Sequence, residues 1–377
     1  MEDTPMDEGN IALETPASDV FVPPSIHREA TLRGETYMHF SPVPPSLLQP
    51  STTSDNETPT ATTTTGVPCV LGVDEAGRGP VLGPMVYGVF YLPAPLSDPL
   101  LKTAHHFDDS KVLTPGVRSS LMEALCTAGT ALHSSCGWAV SSLSARDIGA
   151  GMLRPAGSGA YNLNAQAMDA TVSLIQGVLD RGLNVREIYV DTVGPPAAYQ
   201  RRLERVFPAV RITVAKKADS LYPCVSAASV CAKVTRDAAL EVLYEARAAE
   251  LNRRNRGGGN DEKQKEKENE EGGNTEVEEK EEEEEETWGS GYPSDGRCVS
   301  WLRKNMHPVF GWGPECRFSW GTAKDMLETK DGIKVEWPTD EDDGTSRLTD
   351  FFVSGDREKE ADELGTWFGN PVGLETF

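Results

Sequence analysis

Two adjacent carboxylates followed by a glycine-flanked arginine form the segment of this chain with the clearest chemical potential. Asp74 and Glu75 come directly after an apolar run that predicts a buried strand. Carboxylates in such a position are costly to bury unless hydrogen bonds or a cation compensate their charge, and a divalent metal ion would do so. In the loop Gly77-Arg78-Gly79 the glycines lack a Cβ. The loop can therefore bring backbone amides and a guanidinium close to an anionic substrate.

Two further strands are predicted to end in an acid. Asp191 follows the strand predicted at 185–190, and Asp219 follows the strand predicted at 210–214. Ligand sites of α/β sheets gather at strand ends, so we expect these acids to converge with Asp74 and Glu75. Four such carboxylates repel one another unless they are protonated or metal-bound. Ligands that are all oxygen favour Mg²⁺ or Mn²⁺, and a pair of these ions suits in-line phosphodiester hydrolysis.

Two considerations weigh against this site. A single acid at a strand end is most often a helix cap or a turn residue, so only the joint pattern predicts a metal site. In addition, neighbours in a regular strand point to opposite faces. Asp74 and Glu75 can share a site only if the chain bends or bulges there, or if Glu75 contributes from the rim.

A basic, hydroxyl-bearing stripe follows Asp219 on a predicted helix. Ser229, Lys233 and Arg236 are spaced at i, i+4 and i+7 and share one helical face. Such a stripe could hold a phosphate, but an ordinary solvated face explains the spacing equally well. Lys111 is a second candidate for a lysine that binds phosphate.

Apolar periodicity predicts a mixed α/β sheet flanked by helices. The predicted strands are 68–73, 81–92, 137–143, 185–190 and 210–214. The predicted helices are 117–129, 163–181, 199–207, 223–252, 301–305 and 318–327.

Composition divides the chain into a folded core and three attachments. The core is predicted at 67–252 and 287–330. Residues 1–66 are rich in Pro, Ser and Thr and are predicted to be disordered. Residues 253–286 are predicted to be an acidic low-complexity insertion, and residues 331–377 an acidic tail that could dock onto another protein chain.

The net charge of −23 comes almost entirely from outside the core. Residues 1–66 carry −8, residues 253–286 carry −8 and residues 321–377 carry −9, which leaves +2 for the remainder. A polyanionic substrate is therefore compatible with this chain. Its seven cysteines are scattered without a Cys-x-x-Cys pair, which favours a reducing compartment over a disulfide framework or a zinc site. Because no apolar run is long enough to cross a bilayer, we expect a nuclear or cytoplasmic protein without membrane contact.

Nine ordered segments of this sequence resemble the catalytic chains of eukaryotic type 2 ribonucleases H. They are residues 72–87, 109–111, 161–164, 190–194, 217–223, 226–237, 289–293, 308–311 and 317–320. The resemblance implies a ribonuclease H-like fold with a C-terminal helical extension. It also implies endonucleolytic cleavage of RNA in RNA–DNA hybrids and at single ribonucleotides in duplex DNA, leaving 3′-hydroxyl and 5′-phosphate ends. Such an enzyme would remove ribonucleotides and RNA primers during DNA replication and repair.

The resemblance also assigns roles to residues. The metal-binding acids of the family match Asp74, Glu75, Asp191 and Asp219. The loop that senses the ribose 2′-hydroxyl matches Gly77-Arg78-Gly79, and the tyrosine that stacks on that sugar matches Tyr292. The eukaryotic enzymes are heterotrimers, so two noncatalytic subunits are expected as partners, docked through the C-terminal part of this chain.

Three other interpretations of the chain stay open at this stage. It could be a self-sufficient monomer like the prokaryotic type 2 enzymes, although its long C-terminal region disfavours this. A catalytically idle subunit that binds hybrids is disfavoured by the presence of all four acids. A metal-dependent phosphatase would have no use for the combination of the Gly77–Gly79 loop and Tyr292.

The acidic tail carries a short apolar cluster. Leu348, Phe351 and Phe352 resemble the hydrophobic half of a motif that binds a sliding clamp, although Thr345 stands where that motif has glutamine. Docking of the cluster on a partner subunit or on the protein's own core is the favoured alternative, because apolar clusters in acidic tails commonly anchor partners.

Overall fold

Six strands form the single sheet of the computed structural model, which describes residues 21–49, 66–107, 113–154, 161–192, 194–257 and 287–328. The strands are β1 (Tyr37–Phe40), β2 (Cys69–Ala76), β3 (Met85–Pro93), β4 (Gly137–Leu143), β5 (Val185–Asp191) and β6 (Arg211–Ala215).

Helices connect and flank these strands. They are α1 (Arg28–Leu32), α2 (Pro45–Leu48), α3 (Pro115–Cys126), α4 (Ala131–Ser135), α5 (Ala145–Met152), α6 (Leu163–Leu179), α7 (Pro196–Val206), α8 (Ala218–Leu221), α9 (Pro223–Gly257), α10 (Gly296–Lys304) and α11 (Gly321–Leu327). A 3₁₀ turn (Ala94–Leu96) and a π-helix (Ser97–Ala104) follow β3. No helix in these described ranges is long and apolar enough to cross a membrane.

The sheet is mixed, with the order β1-β4-β3-β2-β5-β6. Strands β1, β4, β3 and β2 pair antiparallel, whereas β2, β5 and β6 are parallel. The predicted fold class, a ribonuclease H-like mixed sheet with flanking helices and a helical C-terminal part, is confirmed. Because β2, β5 and β6 run in the same direction, their carboxyl ends meet at one edge of the sheet.

Helices pack on both faces of the sheet. One face buries Leu71 and Val73 of β2 in a cluster with Leu174 and Ile175 of α6. The opposite face buries Phe90 of β3 in a cluster with the alanines and valines at the start of α9. Burial on both faces explains why β2 and β3 read as nearly continuous apolar runs rather than as alternating patterns.

The start of α9 lies unusually close to the sheet because two strand positions are glycine. A Cβ on Gly72 of β2 would lie 2.3 Å from the carbonyl carbon of Cys224. A Cβ on Gly88 of β3 would lie 2.6 Å from the carbonyl oxygen of Ala228. Both distances are shorter than any stable contact, so a side chain at either strand position would push α9 away.

The strand predicted at 81–92 begins later, at Met85. Gly83 has a φ of +83°, which turns the chain before the strand starts. The residues ahead of that turn pair with the C-terminal part of the core. The amide of Val81 donates to Gly291 (2.9 Å), and the amide of Arg317 donates to the carbonyl of Val81 (2.8 Å).

The prediction that all of residues 1–66 are disordered is wrong for 21–49. Here β1 extends the sheet by pairing with β4, and α2 buries Leu47 in the core. The segment is rich in proline and polar residues, so its few apolar side chains gave no sustained period. They are nevertheless well spaced to cover an otherwise open strand edge.

Leu47 and its neighbour Leu48 provide a matched test of this packing, because Leu47 is 0% exposed and Leu48 is 42% exposed. Leu47→Ala should lower the free energy of unfolding by about 2–4 kcal/mol, the usual cost of removing a buried leucine side chain. Leu48→Ala should change it by about 0.5 kcal/mol or less, as is typical of exposed positions. Chemical denaturation of the two variants would show the difference. Equal effects would mean that α2 does not pack on the core as described.

Candidate active site

Acids from three neighbouring parallel strands meet at one edge of the sheet. Val73 of β2 is in register with Val190 of β5, which places Asp74 beside Asp191. Asp191 is in turn in register with Ala215, the last residue of β6. Asp219 lies in the short helix α8 that follows β6. The convergence expected from the strand ends is therefore present in the structure.

The carboxylate of Asp191 fixes the position of α8. Its Oδ1 accepts a hydrogen bond of 2.7 Å from the amide of Ala218. The preceding residue, Lys217, has a left-handed φ of +57°, which is uncommon for a residue with a side chain. Asp191 thus acts as a cap for α8 and also holds Asp219 on the same edge.

These carboxyl groups destabilise one another's charged forms. Burial raises the pKa of Asp74 well above its usual value, and the charges of Glu75 and Asp191 raise it further. Burial raises the pKa of Glu75 to about 7, with Asp191 adding to the effect and Arg78 opposing it. The pKa of Asp191 is raised by burial and by Asp219. The edge is thus a cluster of coupled, desolvated acids.

Asp74 and Glu75 lie on opposite faces of a regular strand. Pairing with β3 continues without a bulge through Asp74–Gly88 and Glu75–Tyr87. A bulge at this point, which the sequence left open, is therefore excluded, and Glu75 reaches the site from the rim on the α6 side. On the α9 side, Ser229 is fully buried next to Asp74 and lowers the pKa of that carboxyl, although its Oγ forms no well-shaped hydrogen bond.

The chemistry of this edge fits a hard cation. Its donors are carboxylate and hydroxyl oxygens, their charges repel, and the buried Oγ of Ser229 has no hydrogen-bond partner of its own. Oxygen ligands of this kind suit Mg²⁺ or Mn²⁺. Within the described part of the chain, however, no three acidic, histidine or cysteine side chains are gathered closely enough to form a metal cage.

The Gly77–Gly79 loop beside the acids is held by its main chain. The guanidinium of Arg317 donates to the carbonyls of Gly77 (2.6 Å), Arg78 (3.1 Å) and Gly83 (3.0 Å). The indole of Trp320 donates to the carbonyl of Gly79 (2.9 Å). Arg317 is fully buried, and burial lowers its pKa to about 9, with the charge of Arg236 as the next cause. The buried cation therefore exchanges its hydration for three loop carbonyls.

Tyr292 packs directly against this loop. A Cβ on Gly79 would lie 3.1 Å from Cε1 of Tyr292, so the two backbones can approach only because position 79 is glycine. The guanidinium carbon of Arg236 lies 5.8 Å from the centre of the Tyr292 ring. The ring remains 38% exposed, and a flat aromatic surface therefore faces the solvent next to the acids.

Arg78 reaches away from the loop toward α6. It donates a short hydrogen bond to Oδ1 of Asn164 and also hydrogen-bonds the hydroxyl of Tyr87. Its positive charge lowers the pKa of Glu75, so it lies within electrostatic reach of the acids. Arg78 is half-buried and keeps part of its surface open to a ligand.

The predicted basic stripe on α9 is not a solvated face. Ser229 and Arg236 are buried, and Lys233 is half-buried and has bonding partners of its own. Arg236 donates to Asp237 (2.9 Å) and to the carbonyl of Ser290 (2.6 Å). A direct phosphate contact by Arg236 is therefore the wrong interpretation, because its guanidinium supports the Tyr292 segment instead.

Some predicted residues lie outside the described part of the chain. They are Lys111 and the tail cluster Leu348, Phe351 and Phe352. Sequence reasoning also missed residues that position the site, namely Asn164, Arg317 and Trp320. All three stand in segments that carried the family resemblance, but nothing in the spacing of Arg317 and Trp320 reveals a partner about 240 positions away in the chain.

Replacing Arg317 should loosen the Gly77–Gly79 loop. Arg317→Gln leaves up to three buried carbonyls without a donor, at roughly 1–3 kcal/mol each, so a loss of at least about 3 kcal/mol is expected. Amide hydrogen exchange of a peptide covering 77–83 should accelerate strongly. Arg317→Lys should give an intermediate effect, since an ammonium cannot reach all three carbonyls.

The control for this experiment is Arg303→Gln on α10, because Arg303 is exposed. It should leave both the unfolding free energy and the exchange of the loop unchanged. Unaltered exchange at 77–83 in folded Arg317→Lys would contradict the assigned role.

Comparison with known proteins agrees with this geometry. The sequence profile of the family Ribonuclease HII matches residues 71–272. The chain is 56% identical to the ribonuclease H2 catalytic chain of Neurospora crassa over 95% of its own length and 97% of the relative's. It is 38% identical to the corresponding Schizosaccharomyces pombe chain over 98% and 95% of the two lengths. The crystal structure of ribonuclease H2 from Pyrococcus horikoshii, 25% identical, aligns with 69% of this chain and 97% of that one at a TM-score of 0.45. The chain therefore belongs to the ribonuclease HII family, together with the catalytic chains of ribonuclease H2, and is a ribonuclease H enzyme.

Proposed function

We propose that this ribonuclease H hydrolyses the RNA strand of RNA–DNA hybrids and also cleaves on the 5′ side of single ribonucleotides in duplex DNA. The products would carry 3′-hydroxyl and 5′-phosphate ends. One observation carries the proposal: coupled, desolvated carboxylates share an edge with a glycine loop and an exposed tyrosine. The first group suits phosphodiester hydrolysis, and the second suits close contact with a sugar.

Asp74, Glu75, Asp191 and Asp219 would hold two divalent ions, either Mg²⁺ or Mn²⁺. When bound, such a pair of ions activates water and stabilises the leaving oxygen of an in-line displacement. The protein's part is to keep these acids desolvated and close together, so that their repulsion favours a cation over protons. The cap that Asp191 forms on α8 keeps Asp219 at the same edge.

Recognition of RNA would depend on the Gly77–Gly79 loop and Tyr292. The 2′-hydroxyl is the group that distinguishes a ribose from a deoxyribose. A glycine backbone held by Arg317 and Trp320 can approach that hydroxyl without a side chain in the way. The exposed ring of Tyr292 offers a flat surface against the same sugar, with Arg236 behind it.

Three other residues would contact the phosphate backbone or the scissile group. Ser229 and Lys233 follow one another along α9 on the side of Asp74, and Lys111 is proposed from the sequence alone. Arg236 is assigned a positioning role, since both of its outer nitrogens are bonded within the protein.

The decisive assay uses a labelled DNA duplex with one embedded ribonucleotide, in the presence of Mg²⁺. Cleavage on the 5′ side of the ribonucleotide, with none in an all-DNA duplex, is the expected outcome. Running the assay with and without the two noncatalytic subunits tests whether the chain acts as part of a heterotrimer or as a monomer. Absence of cleavage in both preparations would overturn the proposal.

Replacing a metal-binding acid should abolish cleavage without unfolding the protein. Asp74→Asn removes one ligand charge and also relieves repulsion among the acids, so the folded state should be as stable as the parent or more so. Mn²⁺ titration calorimetry should show weakened binding, and cleavage should fall by several orders of magnitude. Asp98→Asn, an exposed position in the π-helix, is the charge-matched control. Full activity of folded Asp74→Asn would refute the assignment.

Tyr292→Ala should impair cleavage at a single ribonucleotide more than cleavage within a long RNA tract. Lost stacking of an aromatic ring on a nucleic acid group is worth on the order of 1–3 kcal/mol, which corresponds to about 5- to 150-fold. Tyr292→Phe keeps the ring and should retain most of the activity. Equal losses on both substrates in Tyr292→Ala would indicate that the residue is structural only.

The tail and the cellular setting complete the proposal. We expect the enzyme in the nucleus and the cytoplasm, removing ribonucleotides and RNA primers during replication and repair. Leu348, Phe351 and Phe352 would anchor either a partner subunit or a sliding clamp. Titration of a labelled peptide covering 340–357 against the clamp separates these two partners. Binding that disappears on Phe351→Ala plus Phe352→Ala supports the clamp, and no binding at high micromolar concentration excludes it.

A further inference from the structure

Helix α7 presents three exposed arginines on one stretch of surface. Arg201, Arg202 and Arg205 are all exposed, whereas Leu203 between them is fully buried in the core. Arg201 and Arg205 line an open surface depression together with Glu204. We call the exposed side that carries these three arginines the α7 arginine face.

The charges of this face are not neutralised within the protein. No ion pair joins any of the three arginines to a carboxylate in the described ranges, and Nε of Arg205 donates a hydrogen bond only to the carbonyl of Arg201 (3.3 Å). Glu204 accepts a hydrogen bond from Gln200 (2.8 Å). Exposed cations elsewhere on the molecule behave differently, as shown by three ion pairs: Arg28–Glu245 (3.6 Å), Arg33–Glu29 (3.6 Å) and Lys324–Glu328 (3.8 Å).

The α7 arginine face flanks the edge that carries the acids. Helix α7 follows β5 shortly after Asp191, and Gln200 of α7 accepts a hydrogen bond from the amide of Val214 in β6 (3.2 Å). Tyr199, on the same helix, lies within electrostatic reach of Glu75 and Arg78 on one side and of Arg202 on the other. The arginines are therefore continuous with the site rather than on a remote surface.

Two exposed lysines extend the positive charge toward the site. Lys216 and Lys217 lie between β6 and α8, directly before Asp219. The backbone of Lys217 also hydrogen-bonds the carboxylate of Asp191, which fixes this turn against the acids. A strip of positive charge thus runs from the edge that carries the acids out along α7.

We propose that the α7 arginine face binds the phosphate backbone of the substrate duplex, several nucleotides away from the cleaved bond. This inference rests on the proposed function for the identity of the substrate, and it adds a second contact region that sets affinity rather than chemistry. Guanidinium groups suit phosphates because they donate in a planar fork. A duplex is the partner that offers negative charge at regular intervals along a strip.

The test compares a triple variant, Arg201→Ala, Arg202→Ala and Arg205→Ala, with the parent in the full-length chain. Affinity for a fluorescent duplex holding one ribonucleotide is measured by anisotropy in EDTA, where no cleavage occurs. Three lost phosphate contacts should weaken binding by about tenfold or more and reduce the slope of log K against log salt by about 2 to 3. Under metal-activated conditions KM should rise while kcat stays unchanged.

A matched control removes the same charge elsewhere. Arg28→Ala, Arg33→Ala and Lys102→Ala replace three exposed cations at α1 and in the π-helix. This control should leave affinity within about twofold of the parent and change the salt slope by less than about 1. Melting temperatures of both triple variants verify that they fold.

Duplexes of unequal arms locate the contact. In one duplex the ribonucleotide lies near the left end, and in the other near the right end. The α7 triple variant should lose affinity for only the duplex whose long arm reaches α7. Unchanged affinity, as expected if the face binds an acidic protein segment instead, would overturn the proposal. Equal losses with both duplexes, or equal losses in the control variant, would overturn it as well. Cleavage by the parent chain reports separately on the proposed function.

Discussion

The close approach of α9 to the sheet is the constraint on which the rest of the site depends. Gly72 and Gly88 remove the side chains that would separate the helix from β2 and β3, and the facing helix residues are alanines and a cysteine. This contact sets Ser229 beside Asp74 at one end of the site. Two turns further along, the same rigid helix carries Arg236 to the segment that holds Tyr292. One packing contact therefore fixes the distance between the acids and the exposed tyrosine ring.

The acids impose a cost on the fold that the rest of the core must offset. Glu75 has a pKa of about 7 in the folded protein, against a usual value near 4.5. Because this pKa is raised, the metal-free folded state is favoured below about pH 4.5 and loses that contribution as the pH rises through about 7. Asp74 and Asp191 shift in the same direction. At neutral pH the metal-free protein therefore stores repulsion that a bound cation relieves, as is common where function needs a destabilised site.

Much of this arrangement could be predicted from the sequence, for identifiable reasons. The three acids at strand ends follow from short apolar runs with an acid after each, and Gly182 marks the end of α6 with a φ of +82°. The N-terminal segment could not be predicted, because β1 acquires its order by pairing with β4 rather than from its own composition. The buried state of Arg236 and the bonds of Arg317 also escaped prediction. Both depend on contacts between distant parts of the chain, which helical spacing does not reveal.

The bonds from Arg317 to the Gly77–Gly79 loop link two parts of the chain that the ribosome makes at different times. The donor is separated from the carbonyl of Gly77 by 240 positions. When β2 and the acids have left the ribosome, the donors that fix this loop have not yet been synthesised. A nascent or prematurely terminated chain that lacks residues 287–328 can assemble most of the sheet but leaves the loop without its clasp. Under the proposed function, discrimination between RNA and DNA is thereby reserved for the completed polypeptide, so an unfinished copy is kept from acting as a poorly selective nuclease.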